Sequence, residues 1–260
     1  MDSVNKTMYI PLYGKALVNA KGIILEDKKA EEIWAKVAFP LKRKSRSKWL
    51  AYYMGMRACV FDEWVKEQLK DSEEAIVLHL GCGMDSRALR VGVSAPFYDV
   101  DFPAVIEERR KYFEEGDSYR MLAADVKDTS FLVGLPKAKK AIVVMEGISM
   151  YLSPSDRKTL FKALCERFEK VALLVDCYSP FAAKMSKIKN PIKDVGVTDV
   201  YGVKSPDELQ EGNSLAFVKE HEITPMPLIE QLDKKERGTF KWLYAGRMAR
   251  SLYRLYEYEK

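Results

Sequence analysis

The spacing of apolar positions changes partway along the chain. Through residues 9 to 70 they recur at helical intervals. "KKAEEIWAKVAF" sets Ala30, Ile33, Trp34, Val37 and Ala38 on one face. "WLAYYMGMRACVFDEWVKEQL" predicts a longer helix with Gly55 as a candidate break, and "PLKRKSRSK" between the two reads as a basic, turn-rich connector. Beyond Asp71-Ser72-Glu73, short apolar runs alternate with helical segments. "AIVLHL", "APFYDVD", "YRMLAADV", "KAIVVMEG" and "KVALLVDCY" predict five strands. "MDSRALRV", "PAVIEERRKYFEE" and "SPSDRKTLFKALCERF" predict helices between them, with Pro103 opening the second, and Ser153 as N-cap and Pro154 as first residue of the third. Such alternation argues for a mostly parallel sheet with helices on both faces. Residues 178 to 213, rich in Pro, Gly, Lys and Asn, interrupt it and read as an insertion after the fifth strand. "SLAFVKEHEIT" then predicts a strand, "RGTFKWLYAGRMA" a helix and "SLYRLYEYE" a half-buried strand. The expected organisation is a helical cap over residues 1–72 and an α/β core over 73–260, integrated as one domain.

The length of 260 residues suits that reading. No apolar run approaches the ~20 residues of a transmembrane helix, so no membrane partner is expected. The start "MDSVNKTMYIPLYGK" lacks a basic segment followed by an apolar core, which makes a cytoplasmic location the expectation. Cys59, Cys82, Cys165 and Cys177 form no C-x-x-C pair, and there are two histidines, so neither a metal site nor a disulfide framework is expected. The net charge of +5 comes from lysines and arginines spread along the whole chain, unlike a dedicated nucleic-acid binder.

The candidate chemistry starts at "LHLGCGMDSRALR". A Gly81-Cys82-Gly83 turn between strand and helix lets the backbone approach a ligand closely, at the carboxyl edge where parallel sheets bind ligands. One strand later, Asp99 and Asp101 in "FYDVD" lie two apart and point to one side, where an acid can accept from ribose hydroxyls. Together these features point to an adenosine-containing cofactor; a tight turn without ligand is the alternative. Ser86 at the third glycine position counts against NAD, and no P-loop pattern is present.

"LHLGCGMDSRALR", "YDVDFPAVIEERRKYF", "AADVKD" and "VMEGISMYLSPSD" occur in the order seen in the leucine carboxyl methyltransferase family. The chain resembles that family, and within it the bacterial branch similar to tetracenomycin-type polyketide O-methyltransferases; "PLYGKALVNAKGIILEDKKAEEI" and "YYMGMRACVFDEWVKEQL" extend the likeness over nearly the whole chain. The resemblance implies a class I S-adenosylmethionine-dependent methyltransferase: a Rossmann-like, seven-stranded, mostly parallel sheet with an N-terminal helical cap. It implies S-adenosylmethionine (SAM) as cofactor and S-adenosylhomocysteine (SAH) as product. Gly81 and Gly83 then face the methionine part, and Asp101, with Asp99 a lesser candidate, holds the ribose. Asp125 and Val126 flank the adenine, and Glu146 contacts the cofactor. Arg57 holds the cofactor's carboxylate, with Lys15 nearby. Other roles stay open: Arg57 pairing with Asp62 or Glu63 on its own helix, Asp99 supporting a strand end, Asp125 capping a turn, Glu146 being structural. Asp85 and Arg87 read as packing and capping residues of the glycine turn.

Methyl transfer from a sulfonium is an in-line displacement that depends on alignment and exclusion of water. A carboxylate acceptor is already ionised, whereas a hydroxyl usually benefits from a base, most often histidine. His79 inside the first strand and His221 in a late strand both look poorly placed for that. The expected acceptor is therefore a small molecule with a carboxylate or acidic hydroxyl; the catalytic residues are not legible. The basic residues of positions 42 to 48 form a solvated loop or a flap that draws an acidic acceptor. A protein C-terminal carboxyl methyltransferase and a non-catalytic binder of the cofactor fold are the alternatives. The acceptor pocket is expected from the N-terminal helices and the 178–213 insertion. Oligomeric state leaves no trace in the sequence.

Overall fold

A computed structural model of the chain describes residues 5–37, 39–42, 44–70, 74–92, 94–186 and 200–260. Three N-terminal helices, α1 (Tyr9–Ala20), α2 (Lys28–Lys36) and α3 (Lys48–Lys70), precede the sheet. The alternating part runs β1 (Ala75–Leu80), α4 (Arg87–Val91), β2 (Phe97–Asp101), α5 (Pro103–Arg109), β3 (Tyr119–Ala123), β4 (Lys140–Met145), α6 (Pro154–Arg167) and β5 (Lys170–Tyr178). After α7 (Pro180–Ser186) come β6 (Ala216–His221), α8 (Met226–Ile229), α9 (Lys234–Phe240), α10 (Arg247–Leu252) and β7 (Tyr253–Glu259). The seven-stranded sheet has the order β3-β2-β1-β4-β5-β7-β6. Its strands are parallel except β7, which runs antiparallel between β5 and β6. The order reverses between β1 and β4, so the crevice beyond the ends of these strands is the expected ligand position.

Strand alternation separates two chemistries. On one face Ile76, Leu78, Val143, Leu173, Val175 and Tyr256 pack against Leu160, Phe161 and Leu164 of α6. On the other face Val77, Phe97, Ile142, Val144, Leu174 and Leu255 pack against Phe61, Trp64 and Val65 of α3. With a period of two, that second face continues at the carboxyl edge into His79, Asp99, Asp101, Glu146 and Asp176. Its strands thus begin apolar under α3 and end polar. α1, the Met8 that precedes it, and α2 place Met8, Leu12, Ala16, Ala30 and Ile33 against Cys82 and Met84 of the glycine turn and Val105 and Ile106 of α5.

The predicted elements differ from the observed ones where tertiary contacts decide. α3 is continuous through Gly55; a Cβ there would meet Val18 Cγ2 at 2.9 Å, so this glycine admits α1 rather than breaking α3. α4 ends at Val91 as expected but starts only at Arg87, and α5 stops after Arg109, shorter than its apolar spacing suggests. β7 is buried on both faces rather than half-buried, because strands flank it and Trp64 Nε1 donates to Glu257 Oε1 at 2.9 Å. The last predicted helix is divided into α9, a π-helical turn at Lys241–Ala245, and α10. The expected boundary at 72, Ala38 of the α2 pattern and Arg43 of the basic run lie outside the described residues, as do 187–199 of the insertion. No helix among the described residues is long and apolar enough to cross a membrane.

Candidate active site

The carboxyl edge opens into a cavity of about 620 Å³ bounded by β1, β2, β4 and their loops below, and by α1, α3 and the segment preceding β7 around it. Gly81, at φ +70°, and Gly83, at φ +51°, form its floor in the left-handed region that favours glycine. A Cβ on Gly81 would lie 2.5 Å from Ile148 Cδ1, so a side chain there would collide with the opposite wall. The turn is tied to β2: Gly83 N donates to Asp101 Oδ2 at 2.7 Å, and Phe102 N donates to Asp101 Oδ1 at 2.8 Å. Burial raises the Asp101 carboxyl above the ordinary carboxylate range, and these two donors oppose the rise.

A chain of buried charges backs one end of the cavity. Arg57 comes from the middle of α3, and its Nε donates to Glu146 Oε1 at 3.0 Å. Its Nη1 donates to Asp176 Oδ2 at 3.1 Å and to the Tyr253 hydroxyl at 2.8 Å. Arg87 joins Glu146 to Asp62 and Asp85. Lys15 Nζ lies 2.8 Å from Asp85, and Arg90 links Asp85, Asp62 and Asp27. Four cations, Lys15, Arg57, Arg87 and Arg90, thus face five carboxylates, Asp27, Asp62, Asp85, Glu146 and Asp176. Burial works against the ionised form of Glu146, but Arg57 and Arg87 prevail and hold its carboxyl below the usual range. The same contest, won by Arg90, Lys15 and Arg87, holds Asp85 well below it. For Asp176 burial wins: its carboxyl is raised to about 6 despite Arg57 and Tyr253.

Lys15, Arg57, Gly81, Gly83, Asp101, Asp125, Val126 and Glu146 all line this one cavity. Asp125 is half-buried, and its Oδ1 accepts from Lys127 N at 3.0 Å beside buried Val126. Asp99 is not brought to the cavity surface. It lies beneath the turn, where it pairs with Arg109, accepts from the Tyr119 hydroxyl at 2.6 Å and bonds His79 Nδ1 at 2.9 Å. Arg109 in turn donates to the carbonyls of Gly83 and Asp85, both at 2.8 Å, so Asp99 supports the turn from below. Arg57 does not pair with Asp62 or Glu63 on its own helix; Asp62 is taken by Arg87 and Arg90. Asp85 and Arg87 are members of the charge chain, in keeping with a supporting role.

His79 is buried and is among the cavity-lining residues. His221 is far from it, its Nε2 paired with Glu257 at 2.6 Å. Asp176 and Tyr253 escaped notice in the sequence. Asp176 closes the apolar run "LLVDCY" as Asp101 closes "FYDVD", so the same strand-end signal was available. Tyr253 carried no such signal, since only the pairing of β7 with β5 brings it to the edge. The cavity is also lined by Ile10, Pro11, Lys44, Ser47, Leu50 and Met54 and by Tyr151, Tyr178, Tyr244 and Tyr253. Of the 178–213 segment only Tyr178 contributes among the described residues, and residues 244 and 253 take the place expected for it. No group of three or more metal-ligating side chains occurs among the described residues.

This geometry fits SAM. Gly81 and Gly83 present backbone without a side chain to the cavity, Lys15 and Arg57 place cationic groups in its lining, and Asp101 and Asp125 are among its acidic lining residues. Gly147, at φ +75°, would bring a Cβ to 3.4 Å from Arg57 Nη2, so its bare backbone leaves the guanidinium approachable.

Comparison with known proteins agrees. A family model described as leucine carboxyl methyltransferase matches residues 6–165. The chain is 29% identical over 250 residues to the tetracenomycin polyketide synthesis O-methyltransferase of Streptomyces glaucescens, covering 95% of this chain and 91% of that protein. It is 25% identical over 186 residues to an S-adenosyl-L-methionine-dependent methyltransferase of Gibberella zeae, covering 65% and 62% of the two chains. The fold is similar to a duf574 family protein from Streptomyces avermitilis, with TM-score 0.59, 12% identity and coverage of 95% and 96%. It is also similar to magnesium protoporphyrin IX methyltransferase from Synechocystis with bound SAM, with TM-score 0.53, 11% identity and coverage of 95% and 97%. The chain belongs to the leucine carboxyl methyltransferase family and is an S-adenosylmethionine-dependent O-methyltransferase.

Proposed function

We propose that the enzyme methylates a carboxylate or acidic hydroxyl of a small molecule bound in the cavity. The observation that carries this is the mixed lining of the cavity. Glycine backbone and strand-end acids share it with Ile10, Leu50, Met54 and tyrosine rings, with Lys44 among its lining residues. Tyr178 and Tyr253 stand edge to face at 5.0 Å, a surface suited to an apolar, ring-bearing acceptor. Lys44 supplies a positive partner for an anionic one.

In this reading Arg57 and Lys15 hold the cofactor's carboxylate, Asp101 holds its ribose, and Asp125 and Val126 hold its adenine. Glu146 acts through Arg57 and Arg87, fixing the direction of both guanidinium groups. When bound, SAM would supply an electrophilic methyl group to an acceptor oxygen, leaving SAH as the departing thioether. The protein's part is to align that oxygen and keep water out. Ile148 and Met54 supply apolar lining for this, together with the tyrosine rings. A carboxylate acceptor needs no proton removed, which suits a chamber whose one histidine, His79, belongs to the floor. The chain is further read as one integrated domain, because α3 both covers the sheet and delivers Arg57.

Titration calorimetry with SAM, SAH and NAD tests the cofactor assignment: heat with the adenosyl ligands and none with NAD is expected, and the reverse overturns it. A panel of aromatic acids and phenols with methyl-labelled SAM then tests the acceptor class. Label transfer confined to neutral alcohols or amines would reject it.

A further inference from the structure

The Tyr253 hydroxyl sits between two groups that divide its roles. Arg57 Nη1, which only donates, reaches it at 2.8 Å. Its single proton is therefore directed to Asp176 Oδ2, 2.6 Å away. That carboxylate is fixed by Gly147 N, at 2.8 and 2.9 Å from its two oxygens, and by Arg57 at 3.1 Å. Tyr253 lines the cavity, whereas Asp176 is fully buried and does not. A proton leaving a ligand in the cavity thus reaches Asp176 by way of the tyrosine.

The charged and titratable groups that act on Asp176 are Arg57 and Tyr53 from α3, Glu146 next to the end of β4, Tyr151 beyond it and Tyr253 from β7. Burial outweighs Arg57 and raises the carboxyl to about 6, so it is ionised at neutral pH yet takes a proton more readily than an ordinary carboxylate. Burial also raises the Tyr253 hydroxyl well above its usual range, which suits it to relay a proton rather than to hold an anion. A carboxylate acceptor has no use for such a pair; a hydroxyl acceptor does. We propose that Tyr253 is the catalytic residue that takes the proton of a hydroxyl acceptor, and that Asp176 is the positioning residue that receives the tyrosine's own proton. This rests on the acceptor reading above and narrows it to the hydroxyl of a ring-bearing molecule. As the acceptor oxygen bonds to the methyl carbon in place of sulfur, its O–H bond breaks towards the Tyr253 oxygen and the tyrosine proton passes to Asp176 Oδ2. The positive charge of the sulfonium and the negative charge of Asp176 disappear together, leaving neutral SAH, a methyl ether and a protonated carboxyl. That proton returns to solvent by the same route once the product has left.

Naphthol and naphthoate, matched in shape, separate a hydroxyl that needs a base from a carboxylate that does not. With methyl-labelled SAM, Tyr253→Phe and Asp176→Asn are each expected to lower kcat for naphthol by about 100-fold more than for naphthoate, the low end of general-base catalysis. In the parent, kcat for naphthol should rise as pH increases through about 6, and Asp176→Asn should lack that limb. A second readout needs no turnover. Excited naphthol is a strong acid that emits as naphtholate when a neighbouring base takes its proton. Bound to the parent with SAH it is expected to emit as naphtholate above about pH 6, and as neutral naphthol in both variants. Equal losses for the two acceptors, transfer to naphthoate alone, or naphtholate emission that survives both substitutions would overturn the proposal. A parent that binds and methylates neither compound would instead overturn the acceptor reading.

Discussion

Arg57 lies in the middle of α3, before the first strand of the sheet, yet its Nη1 sits 3.1 Å from Asp176 at the end of β5. The two residues are 119 positions apart in the chain. Their pairing fixes α3 against the carboxyl edge and makes a helix of the N-terminal segment part of the cavity wall.

Arg57→Lys tests whether this guanidinium also serves the ligand. Lysine keeps the charge but loses the planar fork that now reaches Glu146, Asp176 and Tyr253 at once. The expected result is about ten-fold weaker SAM binding, as for the loss of one charge-assisted hydrogen bond. Adenosine, which has no carboxylate, should bind parent and variant alike in calorimetry. An equal loss for adenosine would mark Arg57 as purely structural.

Asp101→Ala and Asp99→Ala should fail in different ways. On the proposed cofactor reading, loss of Asp101 removes a ribose partner at about 1.5–3 kcal/mol, so SAH affinity should fall ten-fold or more. Loss of Asp99 leaves the buried Arg109 guanidinium without its carboxylate, a change worth about 3–5 kcal/mol in stability. Its signature is a melting temperature lowered by roughly 10 °C, at 2–4 °C per kcal/mol for a chain of about this size. If Asp99→Ala melts like the parent and Asp101→Ala binds like it, the assignments are reversed.

Asp176 should imprint a pH dependence on stability. Its folded-state carboxyl is raised from 3.8 to about 6, so the folded protein holds this proton more tightly than the unfolded chain. The associated stability is full below the unfolded value near 4 and is lost as pH rises through about 6, on the order of 3 kcal/mol in all. Asp176→Asn has no such proton to lose. Its melting temperature relative to the parent should therefore be several degrees more favourable at pH 7.5 than at pH 4. A difference independent of pH would show that Asp176 is ionised throughout.

Gly81→Ala and Gly116→Ala offer a matched pair. At Gly81 the left-handed backbone and the 2.5 Å approach to Ile148 both resist a methyl group, whereas nothing lies within 4 Å at Gly116. Gly81→Ala should lose SAH binding and about 1–3 kcal/mol of stability. Gly116→Ala should change either by no more than about 0.5 kcal/mol. Denaturant melts with and without SAH decide between these outcomes.

The sequence by itself determined the alternation of strands and helices, the glycine turn and the acids that close β2, because these depend on period and on residues a few positions apart. The motif resemblance extended this to Lys15, Arg57, Asp125, Val126 and Glu146, all of which meet in one cavity. It could not decide what Asp99 does. Whether that carboxylate faces a ligand or a neighbour depends on Arg109 from α5 and Tyr119 from β3, and their approach is set by how α5 docks. The places of Asp176, Tyr253 and His79 in or beside the cavity were likewise decided by the tertiary structure. β7 reaches its place between β5 and β6 only by pairing backward with β5, a contact between distant segments that no local spacing encodes. Long-range pairing of buried charges, settled by which partners can share a low-dielectric interior, assigned the roles that residue type alone left open.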